Sequence, residues 1–558
     1  MILNSLPTRD TDVLVIGGGA SGSMAALEAR EQGVEVLLAN KGVLGRTGVT
    51  ASTQGGIAGV VRPPDSEDRF AEDMLRCGRY LNDPVLVRRF VGDIARGAVL
   101  ELEKFGVTFD RDADNRLRVL KVGGHSFPRM LMATWLNATT ILRFGLMPQV
   151  VRRGVRVADQ FLVTKLLTNE YHVCGAVGLN VKTGGVELIR SKAVVLATGN
   201  ATQLFGESGA ASMTGDGYAL AYRAGARLRD MEFVSCTIGL AHPPGLRGKV
   251  LGEPSTVPGS KPRLTNASGE LFLERNNPGV ELYTKDMYMR GIVSELRAGR
   301  GSPHGGVWYD FTNLDPLGPS YPFVRQVIGS MSESIAAGGR VEVTLAPYFF
   351  PGGVEINERH QSSVEGLFAA GEAAGGLHGA ERIASTAMAE AIVFGKRAGR
   401  AAAALAINRE RGPIDGAEVA REAERLYTIL AQEGPQGPRA VRRKVQATMW
   451  ERVGFIRNEA NLLAAQRVLE EVEGVDLGRT RIRSKNPTAN LDWVEAIENA
   501  NLVEVGKMLV MAALQRRESR GSHFREDFPE ESPAWGKSLV LYQDGSTMRC
   551  ASATGGTR

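Results

Sequence analysis

The first residues with recognisable chemistry form a glycine-rich turn near the N-terminus. Gly17-Gly18-Gly19-Ala20-Ser21-Gly22 follows an apolar segment and opens a stretch of helical composition, so its spacing matches GxGxxG between a strand and a helix. In that setting the first glycine permits a tight turn, the second lets the backbone approach a pyrophosphate, and the third lets helix and strand pack closely. The helix N-terminus then favours the phosphate through its free N–H groups and its dipole. The motif therefore predicts a dinucleotide-binding site.

Two later segments indicate which dinucleotide cofactor binds. Val194–Gly199 (VVLATG) reads as a buried strand and turn, and Gly366–Ala373 (GLFAAGEA) as a second strand that ends in a turn containing Glu372. In flavoproteins with two dinucleotide folds, such a strand closes the nucleotide fold and the late acid contacts the ribityl chain. An acid is expected near the end of the second strand, and Asn40 stands there instead, with an amide that still hydrogen-bonds a ribose hydroxyl. The glycine-rich turn and these two segments, in this order along the chain, favour FAD over NAD as the cofactor.

The elements that must position these residues belong to a large chain of ordinary composition. Its 558 residues predict three or four domains, and 43% hydrophobic with 23% charged residues is typical of globular proteins rather than disordered or membrane proteins. The apolar stretches are too short for a membrane span, and the N-terminus lacks the pattern of a signal peptide, so a cytoplasmic location is expected. No nucleic-acid motif is present. The scattered basic residues indicate a solvated surface or a docking patch for an acidic partner.

The cysteine pattern bears on metal chemistry. Cys77, Cys174, Cys236 and Cys550 are isolated, and the chain has no CxxC pair. Free thiols are therefore expected, and an iron–sulfur cluster or zinc site within the chain is not. If electrons leave through a cluster, a separate subunit must hold it.

Several further segments have distinctive sequences. They are Thr53-Gln54-Gly55-Gly56-Ile57, Gly123-Gly124-His125-Ser126, Thr214-Gly215-Asp216-Gly217, Leu377–Ser385 (LHGAERIAS) and Glu518–Pro529 (ESRGSHFREDFP). They are similar to AQGGI, GGHS, TGDG, LHGANRLAS and ESRGAHxRxDFP in the flavoprotein subunits of succinate dehydrogenase and fumarate reductase and in their relative L-aspartate oxidase. The resemblance runs nearly from end to end.

The resemblance implies an α/β fold: an FAD-binding two-dinucleotide-fold domain with an inserted capping domain, then a helical-bundle domain and an irregular C-terminal tail. The expected bounds are 1–232 and 352–410 for the FAD-binding domain, 233–351 for the capping domain, 411–515 for the helical domain and 516–558 for the tail. The expected FAD contacts are Gly17, Gly19, Ala20, Ser21, Gly22, Asn40, Lys41, Thr47, Gln54, Gly55, Gly56, Ala197, Thr198, Gly199, Asp216, Glu372, Arg382 and Ala387.

One departure from the family concerns how FAD is held. In the succinate dehydrogenase flavoproteins, a histidine five residues before the glutamine of the QGG loop binds FAD covalently. Counting back from Gln54 gives Val49, and neither Gly48 nor Thr50 could replace the histidine. FAD is therefore expected to be non-covalent.

Other departures concern the catalytic groups. The family moves a hydride between flavin N5 and a carbon next to a carboxylate, with arginine and histidine holding the carboxylates and an arginine transferring the proton. Arg382 is retained, but the proton-transferring arginine is replaced by Lys285 and the histidine of HYxxGG by Tyr348. We expect Lys285 to be the acid–base group; one alternative is that it is a surface lysine at a helix start, and a second is that Tyr348 carries the proton.

The family's remaining histidine has two possible counterparts. His242 matches it with a short insertion, and Thr237 matches it without a gap. We favour His242 as a catalytic residue and leave Thr237 as the alternative.

Three functions fit these residues. The first is a catalytic flavoprotein with a changed carboxylate-type substrate that exchanges electrons with a separate iron–sulfur subunit; any contact with a membrane would pass through such a partner. The second is a free-standing oxidase similar to L-aspartate oxidase. The third is a flavin-carrying electron-transfer subunit whose substrate site has decayed.

Overall fold

A computed structural model describes residues 6–51, 56–133, 138–169, 172–206, 212–251, 263–278, 283, 285–310 and 339–553. The strands are β1 (Thr8–Asp10), β2 (Val13–Ile16), β3 (Val36–Asn40), β4 (Ile57–Ala58), β5 (Val119–Leu120), β6 (Met130–Leu131), β7 (Arg156–Asp159), β8 (Phe161–Thr168), β9 (Val173–Asn180), β10 (Val186–Arg190), β11 (Ala193–Leu196), β12 (Leu228–Arg229), β13 (Ser235–Leu240), β14 (Arg263–Thr265), β15 (Val307–Asp310), β16 (Arg340–Phe349), β17 (Gly353–Glu355), β18 (Leu367–Ala369), β19 (Ala374–Gly375), β20 (Ile456–Arg457), β21 (Phe524–Arg525), β22 (Leu539–Asp544) and β23 (Thr547–Ser552).

The α-helices are α1 (Ala20–Glu31), α2 (Glu67–Cys77), α3 (Pro84–Ala95), α4 (Ala138–Thr140), α5 (Met147–Arg152), α6 (Asp216–Arg223), α7 (Phe272–Asn276), α8 (Lys285–Arg297), α9 (Thr386–Ile407), α10 (Gly416–Ala431), α11 (Pro438–Thr448), α12 (Glu459–Glu471) and α13 (Leu491–Gln515). Shorter 3-10 or π-helical segments include Val49–Ala51, Ile141–Leu146 and Gly371–Ala373.

A five-stranded parallel sheet organises the FAD-binding domain, in the order β18-β11-β2-β3-β7. Its central strands have the sequences VLVI, VLLAN and AVVL and are buried along their whole length. Continuous apolar sequence is what a parallel strand covered on both faces requires. The loops after β2, β3, β11 and β18 consequently meet at one edge of the sheet, where ligands bind in open α/β folds.

Helices α1 and α9 pack against each other beside this sheet. A Cβ atom at Gly399 would lie 2.2 Å from the carbonyl oxygen of Ala25, so only glycine permits this approach. The contact fixes the N-terminal ends of both helices close to the sheet edge that carries the ligand-binding loops.

In a second sheet, β1-β10-β9-β8, strands β8, β9 and β10 are antiparallel and β1 pairs in parallel with β10 at the edge. A third, β13-β16-β15-β14, is antiparallel and lies within the predicted capping domain. With α7 and α8 it has a core of its own, which includes Ile238, Tyr288 and Val343. This core is distinct from the core around the parallel sheet, and Phe455 from beyond the predicted capping domain also packs into it.

The predicted helical domain contains α10 to α13, and α13 is its long central element. The indole Nε1 of Trp493, which is fully buried, donates to the carbonyl oxygen of Leu426 at 2.9 Å. This bond ties α13 to α10.

The C-terminal tail differs from the irregular segment that we predicted. Its strands β22 and β23 form an antiparallel hairpin whose two-residue loop is Gly545-Ser546, and β22 pairs with β12 of the FAD-binding domain. A glycine at the first position of such a loop is a local hairpin signal.

The described residues lack two kinds of feature. No helix there is long and apolar enough to cross a membrane. In the same part of the chain, no group of three or more histidine, cysteine, aspartate or glutamate side chains could hold a metal ion.

Candidate active site

A cavity of about 610 Å³ lies where the carboxyl ends of the parallel strands face the capping domain. The FAD-binding domain contributes the turns after β2, β3, β11 and β18, and the capping domain contributes Thr237 and Tyr348. The predicted residues on its wall are Gly17, Gly19, Ala20, Ser21, Asn40, Lys41, Thr47, Gly56, Ala197, Thr198, Gly199, Asp216, Tyr348, Glu372, Arg382 and Ala387. Gln54 and Gly55 lie outside the described residues.

The glycine-rich turn works through close contacts. A Cβ at Gly22 would lie 1.8 Å from the carbonyl oxygen of Gly17, so this glycine lets α1 start directly at the turn although it is not on the cavity wall. Asn40 fixes the same turn, because its Oδ1 accepts a hydrogen bond of 3.2 Å from the backbone N–H of Gly18. The turn thus presents backbone and the N-terminal end of α1 to the cavity.

The wall of the cavity offers hydrogen-bonding groups suited to a nucleotide cofactor. The hydroxyl oxygens of Ser21 and Thr198 are buried there and have no hydrogen-bond partner among the described residues. Gly19, the N-cap of α1, provides no side-chain cap, and the N-terminal end of α9 reaches the wall through Ser385 and Ala387. Unsatisfied hydroxyls and two helix N-termini are what the phosphates and hydroxyls of FAD would complement.

A buried charge network stands at one part of the wall. The Lys41 ammonium lies 2.7 Å from both Asp216 and Glu498, and it donates to the Thr214 hydroxyl at 2.5 Å. Burial alone would lower the pKa of Lys41, but Asp216 and Glu498 outweigh it and raise that pKa. Lys41 therefore stays charged, and Asp216 orients it instead of facing the cavity as a free acid.

The surroundings of Glu372 favour its neutral form near pH 7. Asn200 Nδ2 donates to its Oε2 at 2.9 Å, and the Tyr218 hydroxyl donates to its backbone oxygen at 2.5 Å. Burial, and then the nearby charge of Glu390, raise the pKa of Glu372 to about 8. A protonated carboxyl can donate a hydrogen bond as well as accept one, which suits a polyhydroxyl chain.

Arg382 is the cationic group at the capping-domain side of the cavity. Its Nη2 bonds the Tyr348 hydroxyl, and its Nη1 donates to the carbonyl oxygen of Ile383 at 2.9 Å. The guanidinium lies 5.3 Å from the ring centre of Tyr348 and 4.9 Å from that of Phe349. Two aromatic rings therefore fix a buried guanidinium at the cavity wall, where it can bind an anion.

Lys285 is buried beside these residues but is not on the cavity wall. Its Nζ donates to the carbonyl oxygen of Arg382 at 2.7 Å and lies 5.3 Å from the ring centre of Tyr348. The structure therefore rules out the surface lysine that the sequence left open. Lys285 contacts Arg382 and Tyr348 on the side away from the cavity.

His242 does not lie where we expected it. Its side chain is exposed, stacks on His304 with 4.0 Å between ring centres, and is absent from the cavity wall. Thr237, the alternative, is buried and on the wall. The physical reason is that β13 ends at Leu240, so a residue two positions beyond it leaves the sheet that faces the cavity.

The sequence did not predict two residues of the site, Lys249 on the cavity wall and Asn200 beside Glu372. Lys249 is on the wall because the loop after β13 folds back, with Leu240 N–H donating to its carbonyl oxygen at 2.9 Å. No motif signals it. Asn200, which orients Glu372, directly follows the ATG turn of Val194–Gly199 and could have been found there.

His125, from the GGHS-like segment, is a structural residue. Its Nε2 lies 2.8 Å from the carbonyl oxygen of Ala384. Burial lowers the pKa of His125 to about 4, so the imidazole is neutral near pH 7 and supports the segment that follows Arg382.

Comparison with known proteins gives consistent results. Residues 12–388 match the family described as FAD binding domain, and residues 442–552 match the one described as fumarate reductase flavoprotein C-term. The chain is 32% identical to a subunit of the fumarate reductase (CoM/CoB) of Methanothermobacter marburgensis, over 95% of this chain and 97% of that protein. It is also 32% identical to a fumarate reductase flavoprotein subunit of Mycobacterium tuberculosis, over 97% and 96% of the two chains. Among solved structures, the FrdA chain of an E. coli quinol fumarate reductase variant aligns with a TM-score of 0.89 and 26% identity, over 98% and 97% of the two chains.

Proposed function

The chain belongs to the fumarate reductase and succinate dehydrogenase flavoprotein family, and from that premise we propose that it oxidises or reduces a small carboxylate-type substrate next to FAD. It is an FAD-dependent oxidoreductase, because its matched domain binds FAD and its relatives are fumarate reductase flavoproteins. The substrate class, the partner and the role of each residue are our proposal.

The observation that carries the proposal is the position of Arg382. The guanidinium, fixed beside the rings of Tyr348 and Phe349 at the cavity wall, presents a positive charge to a ligand bound there. Planar guanidinium groups bind carboxylates through paired hydrogen bonds. Thr237 and Lys249, from the capping domain, add a hydroxyl and a second cation to the same wall. This side of the cavity therefore suits a small anion.

Bound FAD supplies the acceptor or donor of a hydride. The residues that would hold it are those of the glycine-rich turn, the ATG turn and Glu372, and we propose that the attachment is non-covalent because Val49 replaces the histidine. Lys285 is proposed to hold the proton that joins or leaves the substrate carbon. Its flexible side chain lets the ammonium exchange its hydrogen bond to the carbonyl oxygen of Arg382 for a hydrogen bond at the cavity wall. Tyr348 is the rival proton carrier, because its hydroxyl is already on the wall.

We also propose that an iron–sulfur subunit exchanges electrons with the flavin. Two supports exist: the relatives are named as subunits, and the chain has no CxxC pair with which to hold a cluster. Any association with a membrane would then pass through that partner.

One set of assays tests the substrate proposal. Reduced benzyl viologen should be oxidised with a substituted relative of fumarate, whereas succinate oxidation should be weak because Tyr348 replaces a histidine of the family's carboxylate clamp and Lys285 replaces its proton-transferring arginine. Rapid interconversion of succinate and fumarate would contradict the expected change of substrate. Peroxide formation from L-aspartate would favour the free-standing oxidase instead.

The partner proposal has its own measurement. The chain, purified from its native cells, should carry a second polypeptide with iron and acid-labile sulfide in stoichiometric amount. A preparation that is fully active with its physiological acceptor and contains no iron would contradict it.

A further inference from the structure

Three side chains join the capping domain to the peptide unit of Arg382. Glu381 Oε1 accepts the backbone N–H of Arg382 at 2.8 Å, and Lys285 donates to the backbone oxygen of Arg382 at 2.7 Å. The Ser235 hydroxyl donates to Glu381 Oε1 at 2.5 Å. Lys285 begins α8 and Ser235 begins β13, so both partners come from the capping domain. The backbone of the substrate-side arginine is thus held at its N–H and at its carbonyl.

Two of these positions depart together from the family pattern. Lys285 stands where the resembling enzymes have the proton-transferring arginine, and Glu381 stands where LHGANRLAS has asparagine. In this structure the two departing residues are neighbours, with Lys285 Nζ 3.8 Å from Glu381 Oε1. The replacement of arginine by Lys285 and the replacement of asparagine by Glu381 therefore occur at neighbouring positions in the structure.

The surroundings make the two charges depend on each other. Both side chains are almost completely buried, and Glu381 Oε2 has no hydrogen-bond partner among the described residues. Burial raises the pKa of Glu381, and Lys285 opposes that shift. Removing one member of a buried pair leaves the other charge uncompensated, whereas replacing both by apolar groups is often neutral.

We infer that Glu381 is a positioning residue, which pairs with Lys285 and with the backbone N–H of Arg382. The Arg382 guanidinium is thereby aligned toward the substrate only while the capping domain contacts the FAD-binding domain through Lys285 and Ser235. The inference rests on the proposed role of Arg382 in carboxylate binding. It adds that this chain controls carboxylate affinity through a Lys–Glu pair.

The test uses the full chain loaded with FAD. Malonate, an unreactive dicarboxylate, serves as the probe, and its Kd is read from the change in the flavin absorbance spectrum. Glu381→Gln should raise that Kd at least about tenfold while the FAD content stays the same.

A second measurement, hydrogen exchange of residues 285–297, reports whether the capping domain stays in contact with the FAD-binding domain. It is made in Glu381→Gln, Lys285→Gln and the double variant. Each single variant should exchange at least about tenfold faster, and the double variant should be no faster than either, because the two residues act as one unit.

Arg297→Gln is the matched control. Arg297 pairs with Glu526 at the other end of α8, and their side chains are 47% and 37% exposed, so its loss should leave the malonate Kd within about twofold. If the Glu381→Gln chain does not fold, the variant with Lys285→Met and Glu381→Leu removes both charges, and it should show the same loss of malonate affinity.

The outcomes distinguish the positioning role of Glu381 from the proposed binding of a carboxylate by Arg382. Exchange effects that multiply in the double variant, or an unchanged malonate Kd in Glu381→Gln, would overturn the positioning role. If malonate fails to perturb the flavin of the wild type, the carboxylate proposal fails, and the exchange cycle still decides whether Glu381 and Lys285 act together.

Discussion

The ammonium of Lys285 lies 2.7 Å from the carbonyl oxygen of Arg382, so the proposed proton carrier touches the backbone of the proposed substrate anchor. The two residues are 97 positions apart and belong to different bodies, the capping domain and the FAD-binding domain. Any motion of the capping domain therefore changes the surroundings of both groups together.

Lys285→Met should lower turnover at least about a hundredfold, because a general acid–base group contributes about 10²- to 10⁴-fold. FAD content and photochemical reduction of the flavin should be unchanged, since Lys285 is not on the cavity wall. Lys104→Met, at an exposed position, is the control and should behave as the wild type. Full activity in Lys285→Met with loss of activity in Tyr348→Phe would move the role to Tyr348.

Arg382→Met should raise the Michaelis constant strongly or abolish turnover while FAD remains bound. Truncating one partner of a buried charge pair costs about 2–5 kcal/mol, which corresponds to about 30- to 5000-fold in affinity. Steady-state kinetics with the substrate found in the viologen screen provide the measurement. Wild-type constants in this variant would refute the anchoring role.

Gly19→Val should abolish FAD binding without unfolding the chain. Gly19 has φ −70° and ψ −173°, which other residues adopt, and a Cβ there would meet only the Thr50 hydroxyl at 3.3 Å. The added side chain would enter the space proposed for the pyrophosphate. Gly474→Val, where a Cβ meets nothing within 4 Å, is the control. Full flavin occupancy in Gly19→Val would place the cofactor elsewhere.

The flavin should be released when the protein is precipitated with acid, because Val49 cannot form a histidyl bond to it. The yellow colour is expected in the supernatant, with the mass of FAD and no added mass on the chain. Colour that stays in the washed pellet would contradict non-covalent binding.

The free energy of unfolding should fall as pH rises toward 8, in part because of Glu372. Its folded pKa is about 8, whereas an unfolded glutamate has a pKa near about 4.3. Between these values the folded chain keeps a proton that the unfolded chain releases. The contribution of Glu372 is therefore complete below about pH 4.3 and is lost as pH rises through about 8.

Glu372→Gln should flatten this dependence, because a neutral amide replaces a group that titrates. The melting temperature of the FAD-loaded protein between about pH 6 and 9 is the measurement. Part of the slope should remain, since burial also raises the pKa of Glu390 to about 8. Equal slopes in the variant and the wild type would show that Glu372 is ionised in the folded protein.

Local sequence predicted the frame of the FAD site. The apolar run Val13–Ile16 and the turn from Gly17 to Gly22 encode a buried strand and a helix start, because strand burial and glycine turns depend on neighbouring residues. The same holds for Val194–Gly199, and the membership in the flavoprotein family was confirmed. The Gly545-Ser546 hairpin loop is an equally local signal, because the turn type depends on the residues within the loop.

Only the tertiary structure decided which side chains meet at the substrate side. Thr237 rather than His242 reaches the wall because His242 lies beyond the end of β13 at Leu240, where its exposed ring stacks on His304. Lys285 and Glu381 become a pair because α8 packs over the segment that follows β19. Contacts between residues about a hundred positions apart depend on how separate bodies pack, and no local pattern in the sequence specifies that geometry.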